Sequence, residues 1–332
     1  MQILNQTNAA SRAQALAQHG RVGDAYRTLE QAIAAGNAQA AMTLASWRLS
    51  GAIVRRDISA ARALYGRAAE LGSVEALPIH IALLASGAGG APREWARAMS
   101  LLRQQARRDP LAGRQIALIE AMRLDAKGDP SALPLSEPLN AVPPIERISA
   151  LLTPDECRYL AERALPLLQP SVVVHPQGGQ LVQDPIRTAR SAGFPFVLED
   201  PVLHAINRRI AAVTGTNYEQ GEPLQVLCYE PGEEYKLHSD ALPPGNNQRA
   251  ATLLVALNAE YDGGETAFPR LGLTWRGAVG EALHFRNVAE AGEPDALTWH
   301  CGCPVKRGCK LILSKWIRAA PLDLSGPPGR PF

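Results

Sequence analysis

Aromatic side chains supply only 5% of the 332 residues while alanine is abundant, a balance that favours helices in part of the chain. Long apolar runs are missing too. Nowhere do about 18 apolar residues stand uninterrupted, which excludes a hydrophobic membrane-spanning helix. The opening residues, MQILNQTNAASRAQALAQHG, carry no apolar stretch behind a basic start, so a soluble, cytoplasmic chain is expected. An excess of one charge sign is also absent. With 34 Lys+Arg against 32 Asp+Glu, the net +2 argues against a generally basic nucleic-acid binder. Cysteine is scarce and odd in number: Cys157, Cys228, Cys301, Cys303 and Cys309 do not read as a disulfide framework. Cys301, Cys303 and Cys309 lack a fourth ligand at zinc spacing, so ordinary buried thiols are expected.

What is present divides the chain in two, and its length suffices for two ordinary domains. Over residues 1–125, a shift of 36 lays Gly36 on Gly72, Ala40 on Ala76, Gly51 on Gly87 and Ala60 on Ala96. Apolar residues recur at helical spacing within each unit, as in Ala60, Ala61, Leu64, Tyr65, Ala68 and Ala69. Units that cannot bury their own apolar face must stack. The blocks Gly51–Ala61 and Tyr65–Gly72 look like Sel1-type repeats, relatives of the tetratricopeptide repeat. Two to three such units are read, the last degenerate around Ala88-Gly89-Gly90-Ala91-Pro92. That resemblance implies a surface for a protein partner, against the alternative of a shell packed on the second half.

Prolines at 130, 134, 138, 143 and 144 mark residues 126–145 as a linker. Residues 146–320 then form a second domain, and 321–332 a Pro/Gly-rich tail. Thr153, Pro154, Asp155 and Glu156 suit a helix start, with the helix running to about Leu168 and another over about 201–214. Short β-rich runs follow at Leu224–Tyr229, Tyr235–Asp240, Ala251–Leu257, Glu281–Phe285 and Leu311–Ile317. Such strands between glycine-rich turns indicate an antiparallel sandwich or jelly roll. The fold class is therefore multidomain α + β, a helical solenoid followed by a β-rich domain.

Within that domain, His238 and Asp240 share one face of an extended chain, and His300 lies farther on. Two imidazoles and one carboxylate can form the facial triad that holds Fe(II) with open coordination positions. By itself the His-x-Asp triplet is weak evidence, and a surface Asp beside a His that caps a strand end is the default reading. The surrounding blocks decide the matter. Tyr229 to Asp240 reads Y-x-P-G-x-x-Y-x-x-H-x-D, and Leu257 to Pro269 reads L-N-x-x-Y-x-G-G-E-T-x-F-P. Gly280 to Phe285 reads G-x-A-L-x-F, and His300-Cys301-Gly302-Cys303-Pro304-Val305 leads to Lys310 and to Ser314-Lys315-Trp316.

In these blocks the chain resembles the Fe(II)/2-oxoglutarate dioxygenases of the prolyl 4-hydroxylase type, over roughly residues 145–319. The resemblance implies a double-stranded β-helix, with His238, Asp240 and His300 as both metal ligands and catalytic centre. It implies Lys310 and Tyr229 as binders of 2-oxoglutarate, with O2 as the other cosubstrate and L-ascorbate as a further cofactor. Arg187, Arg190, Tyr235 and Trp316 are the candidates for substrate contact; Tyr235 is read equally as a packing residue. Arg307 is a rival anchor at the wrong offset, and His284 is read as structural rather than as a ligand. Asp240, where an Ala or Gly would open a halide site, favours hydroxylation. The function implied is hydroxylation of prolyl residues in a protein or peptide docked in part by the repeats, releasing succinate and CO2. The alternatives are a hydroxylase of another residue or of a free amino acid, and a repeat-based adaptor whose oxygenase half is inert or senses 2-oxoglutarate.

Overall fold

A computed structural model describes the chain except for Met1, Ala91, residues 175–180, 184–185, 196–198, Pro244, 290–291 and 323–332, and for the side chains of residues 2–8, 172–174 and 181–183. The expected tail lies almost wholly outside the described residues, as does the loop at Gly178 and Gly179. The chain divides into two compact units. One comprises Met1–Asp129 with Pro195–Ala205; the other comprises Pro130–Phe194 with Ile206–Leu322.

Helices build the first unit: α1 (Gln2–Gln18), α2 (Val22–Ala34), α3 (Ala38–Ser50), α4 (Ile58–Glu70), α5 (Ala76–Ser86), α6 (Trp95–Ala106) and α7 (Pro110–Ala121). Each packs on the next in sequence, as in a solenoid. The side chains of Asn37, Asp57 and Asp109 accept backbone N–H bonds at the starts of α3, α4 and α7, each cap stabilising by about 1 kcal/mol. The shift of 36 residues recurs in the backbone. Gly36 and Gly72 have φ of 85° and 95°, and their N–H groups donate to Ile33 and Ala69. Gly51 and Gly87, with φ of 70° and 68°, close α3 and α5 by donating to Trp47 and Leu83. In these left-handed positions a Cβ would strain the chain.

The second unit opens with β1 (Ser136–Asn140), β2 (Ile145–Ile148) and α8 (Pro154–Ala164). Next come β3 (Gln169–Pro170), β4 (Val172–Val174), β5 (Leu181–Gln183) and β6 (Arg190–Phe194). Helix α9 (Pro201–Val213), whose residues to Ala205 belong to the first unit, precedes β7 (Leu224–Tyr229), β8 (Tyr235–His238), β9 (Arg249–Ala256), β10 (Tyr261–Gly263) and β11 (Thr266–Phe268). The remaining strands are β12 (Leu273–Trp275), β13 (Ala282–Arg286), β14 (His300–Gly302), β15 (Val305–Gly308) and β16 (Lys310–Arg318). A capping box between Thr153 and Glu156 starts α8, as the sequence predicts.

Part of the expected linker is strand. β1 pairs antiparallel with β2, with Pro138 opposite Glu146. Proline is tolerated there because β1 is the edge of its sheet and one row of its N–H groups has no ladder partner to serve.

The main sheet runs β1-β2-β13-β9-β16-β7-β6-β3 and the smaller one β12-β11-β14-β8. Their inner faces meet in one core. Leu227, Leu254, Leu283, Phe285 and Ile312 come from the main sheet, and Phe268 and Trp275 from the smaller. This is the antiparallel jelly roll that the strand pattern implied. His238 and His300 sit on the smaller sheet, Asp240 just past the end of β8, and the basic anchor Lys310 on the main sheet, so the core between the sheets is also where a site can form.

Candidate metal centre

β8 and β14 pair antiparallel with His238 directly opposite His300, which brings their ring centroids to 4.3 Å. β8 ends at His238, so Asp240 lies beyond the strand rather than in its alternation. Its carboxylate nevertheless returns to the two rings. Asp240 Oδ1 lies 3.6 Å from His238 Nε2, and Oδ2 lies 3.7 Å from His300 Nε2. All three side chains are buried and offer ligand atoms within 4.8 Å of one another.

The unused ring nitrogens fix the tautomers. His238 Nδ1 donates to the Lys236 carbonyl at 2.8 Å and His300 Nδ1 to the Thr298 carbonyl at 3.1 Å. With the hydrogen on Nδ1, an uncharged ring turns its Nε2 lone pair toward Asp240. Burial pushes the His300 imidazole down to about 4, against the pull of Asp240, so the ring is neutral at physiological pH. Burial would raise the Asp240 carboxyl. The neighbouring His238 and His300 rings and the Thr252 hydroxyl outweigh it and hold the group below the usual carboxylate range. Separations of 3.6 and 3.7 Å are too long for hydrogen bonds, and a set of acceptors facing one another is what a cation satisfies. Two imidazoles and a carboxylate suit Fe(II).

A second layer, not anticipated from the sequence, holds the carboxylate. Thr252 Oγ1 donates to Asp240 Oδ2 at 2.7 Å, and Asn287 Nδ2 donates to Thr252 Oγ1 at 2.9 Å. Thr252 and Asn287 are 0% and 1% exposed. The available signal was a lone hydroxyl in the otherwise aliphatic run Ala250–Ala256.

Beside the triad lies a cavity partly open to solvent. Alternation along β16 turns Lys310, Ile312, Ser314 and Trp316 into it, and alternation along β7 does the same for Leu227 and Tyr229. Ser314 is a further polar lining residue that sequence reasoning passed over. Lys310 stands opposite Tyr229 in the register, with its ammonium 5.4 Å from that ring's centroid. It is 5% exposed and donates to the Gly264 carbonyl at 2.7 Å, which leaves two ammonium donors for a ligand. Desolvation lowers Lys310 to about 8. Burial raises the Tyr229 phenol above its ordinary value, so it remains a hydrogen-bond donor. Arg307, the rival anchor, is instead exposed and pairs with Asp262 at 2.8 Å.

The substrate candidates separate. Tyr235 lines the cavity and stacks on His238 with centroids 3.4 Å apart, so it both lines and packs. Arg187 lies 5.4 Å from the Tyr235 ring centroid. Trp316 lines the cavity beneath the Arg249 guanidinium at 3.9 Å, and Glu222 holds that arginine at 2.6 and 2.9 Å. Arg190 does not join them. It pairs across strands with Cys228, on the opposite face from Tyr229, and its guanidinium bonds Glu230. Its expected substrate contact is corrected accordingly. His284 contacts Glu146 at 3.3 Å, away from the triad.

The 2OG-Fe(II) oxygenase superfamily profile matches residues 224–318. Over 186 residues the chain is 35% identical to "Prolyl 4-hydroxylase 1" of Arabidopsis thaliana, covering 50% of this chain and 66% of that protein. Over 184 residues it is 32% identical to "Prolyl 4-hydroxylase subunit alpha-1" of Rattus norvegicus, covering 53% and 34%. It thus spans just under two thirds of the plant relative and about a third of the rat subunit. Among solved structures, the viral collagen prolyl hydroxylase of Paramecium Bursaria Chlorella virus-1 in its 2OG complex is 28% identical, with 53% of this chain and 96% of that chain covered and a TM-score of 0.43.

Proposed function

Residues 224–318 form a 2OG-Fe(II) oxygenase domain with prolyl 4-hydroxylase homologues, and from that premise we propose that the chain hydroxylates prolyl residues of a protein or peptide. One observation carries the reading: Lys310 and Tyr229, cross-strand partners, line the same cavity as His238, Asp240 and His300. Ferrous iron and 2-oxoglutarate, when bound, supply the oxidising power that places one oxygen of O2 on a C–H carbon, with succinate and CO2 as co-products.

The protein's own part is binding, orientation and exclusion of water. Lys310 pairs with the distal carboxylate of 2-oxoglutarate, and the Tyr229 hydroxyl donates to the same group. Leu227, Leu254 and Ile312 keep the cavity wall apolar. Thr252 fixes the carboxylate plane of Asp240. In the cavity wall, the indole N–H of Trp316 is buried with no acceptor among the described residues, and a substrate peptide carbonyl would satisfy it.

The helices of the first unit are Sel1-like repeats in this reading, and they help to dock the protein substrate. The 36-residue recurrence of their turns supports that reading. L-ascorbate serves as reductant, and the chain works in the cytoplasm. Among the described residues no helix is long and apolar enough to cross a membrane.

The test is succinate release with Fe(II), 2-oxoglutarate and ascorbate, combined with mass spectrometry of proline-containing peptides. A gain of one oxygen on proline supports the assignment. The same gain on another residue, or on a free amino acid, replaces it, and no succinate from any substrate favours an inert domain.

A further inference from the structure

Two thiols meet on the face of β7 and β16 that is turned away from the cavity. Cys228 lies in β7 and Cys309 immediately precedes β16; their sulfurs are 2.8 Å apart and both are free. The strand register sets Tyr229 against Lys310 and Cys228 against Leu311. Cys228 and Cys309 are therefore diagonal neighbours, directly behind the two residues that face the cavity. Cys228 is 1% exposed, whereas Cys309 is only partly buried. Arg190, turned away from the cavity, reaches the Cys228 sulfur at 3.8 Å and pairs with Glu230.

This surrounding differs from that of an inert buried thiol. The contact with Cys309 is the largest influence on Cys228 and lowers it to about 7; burial opposes it, the Arg190 guanidinium assists, and Glu230 and Glu233 oppose. The same shared proton moves Cys309 upward. Cys157 shows the contrast: buried with no thiol partner, it is pushed up to about 12. A pair that shares one proton beside a guanidinium holds thiolate character at neutral pH, and the thiolate is the reactive form.

We propose that Cys228 and Cys309 form a redox-active dithiol that closes to a disulfide when a hydroperoxide reaches the chain. The thiolate rests mainly on the buried Cys228; transfer of the one shared proton across the 2.8 Å contact places the thiolate on the more exposed Cys309, which attacks the O–O bond. It gains one oxygen as a sulfenic acid, and the other peroxide oxygen leaves as an alcohol or water, taking from solvent the proton that the pair released when it ionised. Cys228 then attacks that sulfur, the S–O bond breaks, and water departs with the second proton. In sum, two thiols and one hydroperoxide give one disulfide, one alcohol or water, and one water. Two electrons pass from the sulfurs to the O–O bond. Thiols reverse the step.

The experiment needs no turnover and uses the full chain, with a chelator present to suppress iron chemistry. After stoichiometric hydrogen peroxide, the free thiols are alkylated and the protein is digested without reductant. The expected result is a linked pair of peptides containing Cys228 and Cys309, lighter by two hydrogens, and loss of two of the five thiols, restored by dithiothreitol. In Cys228→Ser, dimedone should label Cys309. In Cys309→Ser, the linked pair should be absent. The wild-type map stands even if either variant folds poorly. A linkage of Cys301 to Cys303 instead, or five free thiols after peroxide treatment, overturns the proposal.

Discussion

Thr252 Oγ1 donates to Asp240 Oδ2 at 2.7 Å, so the carboxylate between the two imidazoles is held from the main sheet while both imidazoles are held from the smaller one. The metal centre is thus assembled only when the two sheets pack. Outer hydrogen bonds of this kind typically contribute 10- to 100-fold to metal affinity. Thr252→Val keeps the shape and removes the donor, so Fe(II) affinity should fall by about that factor with the fold retained. Anaerobic metal titration measures it, and unchanged affinity would show that Asp240 needs no such support.

Lys310 should give 2-oxoglutarate binding a pH dependence. Its folded-state value of about 8 lies below the ordinary lysine value of 10.5, so in the empty site the ammonium is lost as pH rises through about 8. The neutral amine no longer attracts a dianion. Affinity should be flat below that pH and fall by about tenfold per unit above it, because the ligand binds the protonated form. Calorimetry on the iron-loaded protein in Lys310→Met should lose this dependence together with about 10- to 100-fold in affinity, the scale of one charge-assisted hydrogen bond. A wild-type curve that stays flat to high pH would point to another anchor.

Tyr229→Phe removes a hydroxyl while leaving the ring that packs beneath Lys310. The cost should be about 1 kcal/mol, or about fivefold in the KM for 2-oxoglutarate. An unchanged KM would make Tyr229 a packing residue only.

Arg187 and Arg190, close in sequence, should behave differently. Arg187→Ala disturbs the Tyr235 ring that stacks on His238 and should raise the KM for peptide. Arg190→Ala acts on the far face of β6 and should leave it unchanged. Equal effects would contradict the separation of the two side chains across the sheet.

The sequence was most informative where local periodicity decides the outcome. The strand read at Leu224–Tyr229 is found with those bounds, and the helix read from Pro154 to about Leu168 is α-helical only to Ala164, with a tighter 3-10 turn over Leu165–Leu167. β10, β11, β12 and β14, each three residues long, left no periodic trace, because two or three side chains cannot display alternation. The strand within 126–145 was hidden by its prolines, which an edge position accommodates. His238, Asp240, His300 and Lys310 were legible as spaced motifs. Thr252 and Asn287 were not, since their role exists only once β9 lies behind Asp240 and β13 pairs beside it. Arg190 was misread for a related reason: which face it takes depends on its register with Cys228, a long-range pairing.

Anaerobic calorimetric titration of Fe(II) into the wild-type chain and into His300→Ala tests the central claim most directly. The account predicts one ion per wild-type chain and loss of that binding in the variant, with its circular dichroism unchanged. Wild-type stoichiometry and affinity in His300→Ala would contradict it.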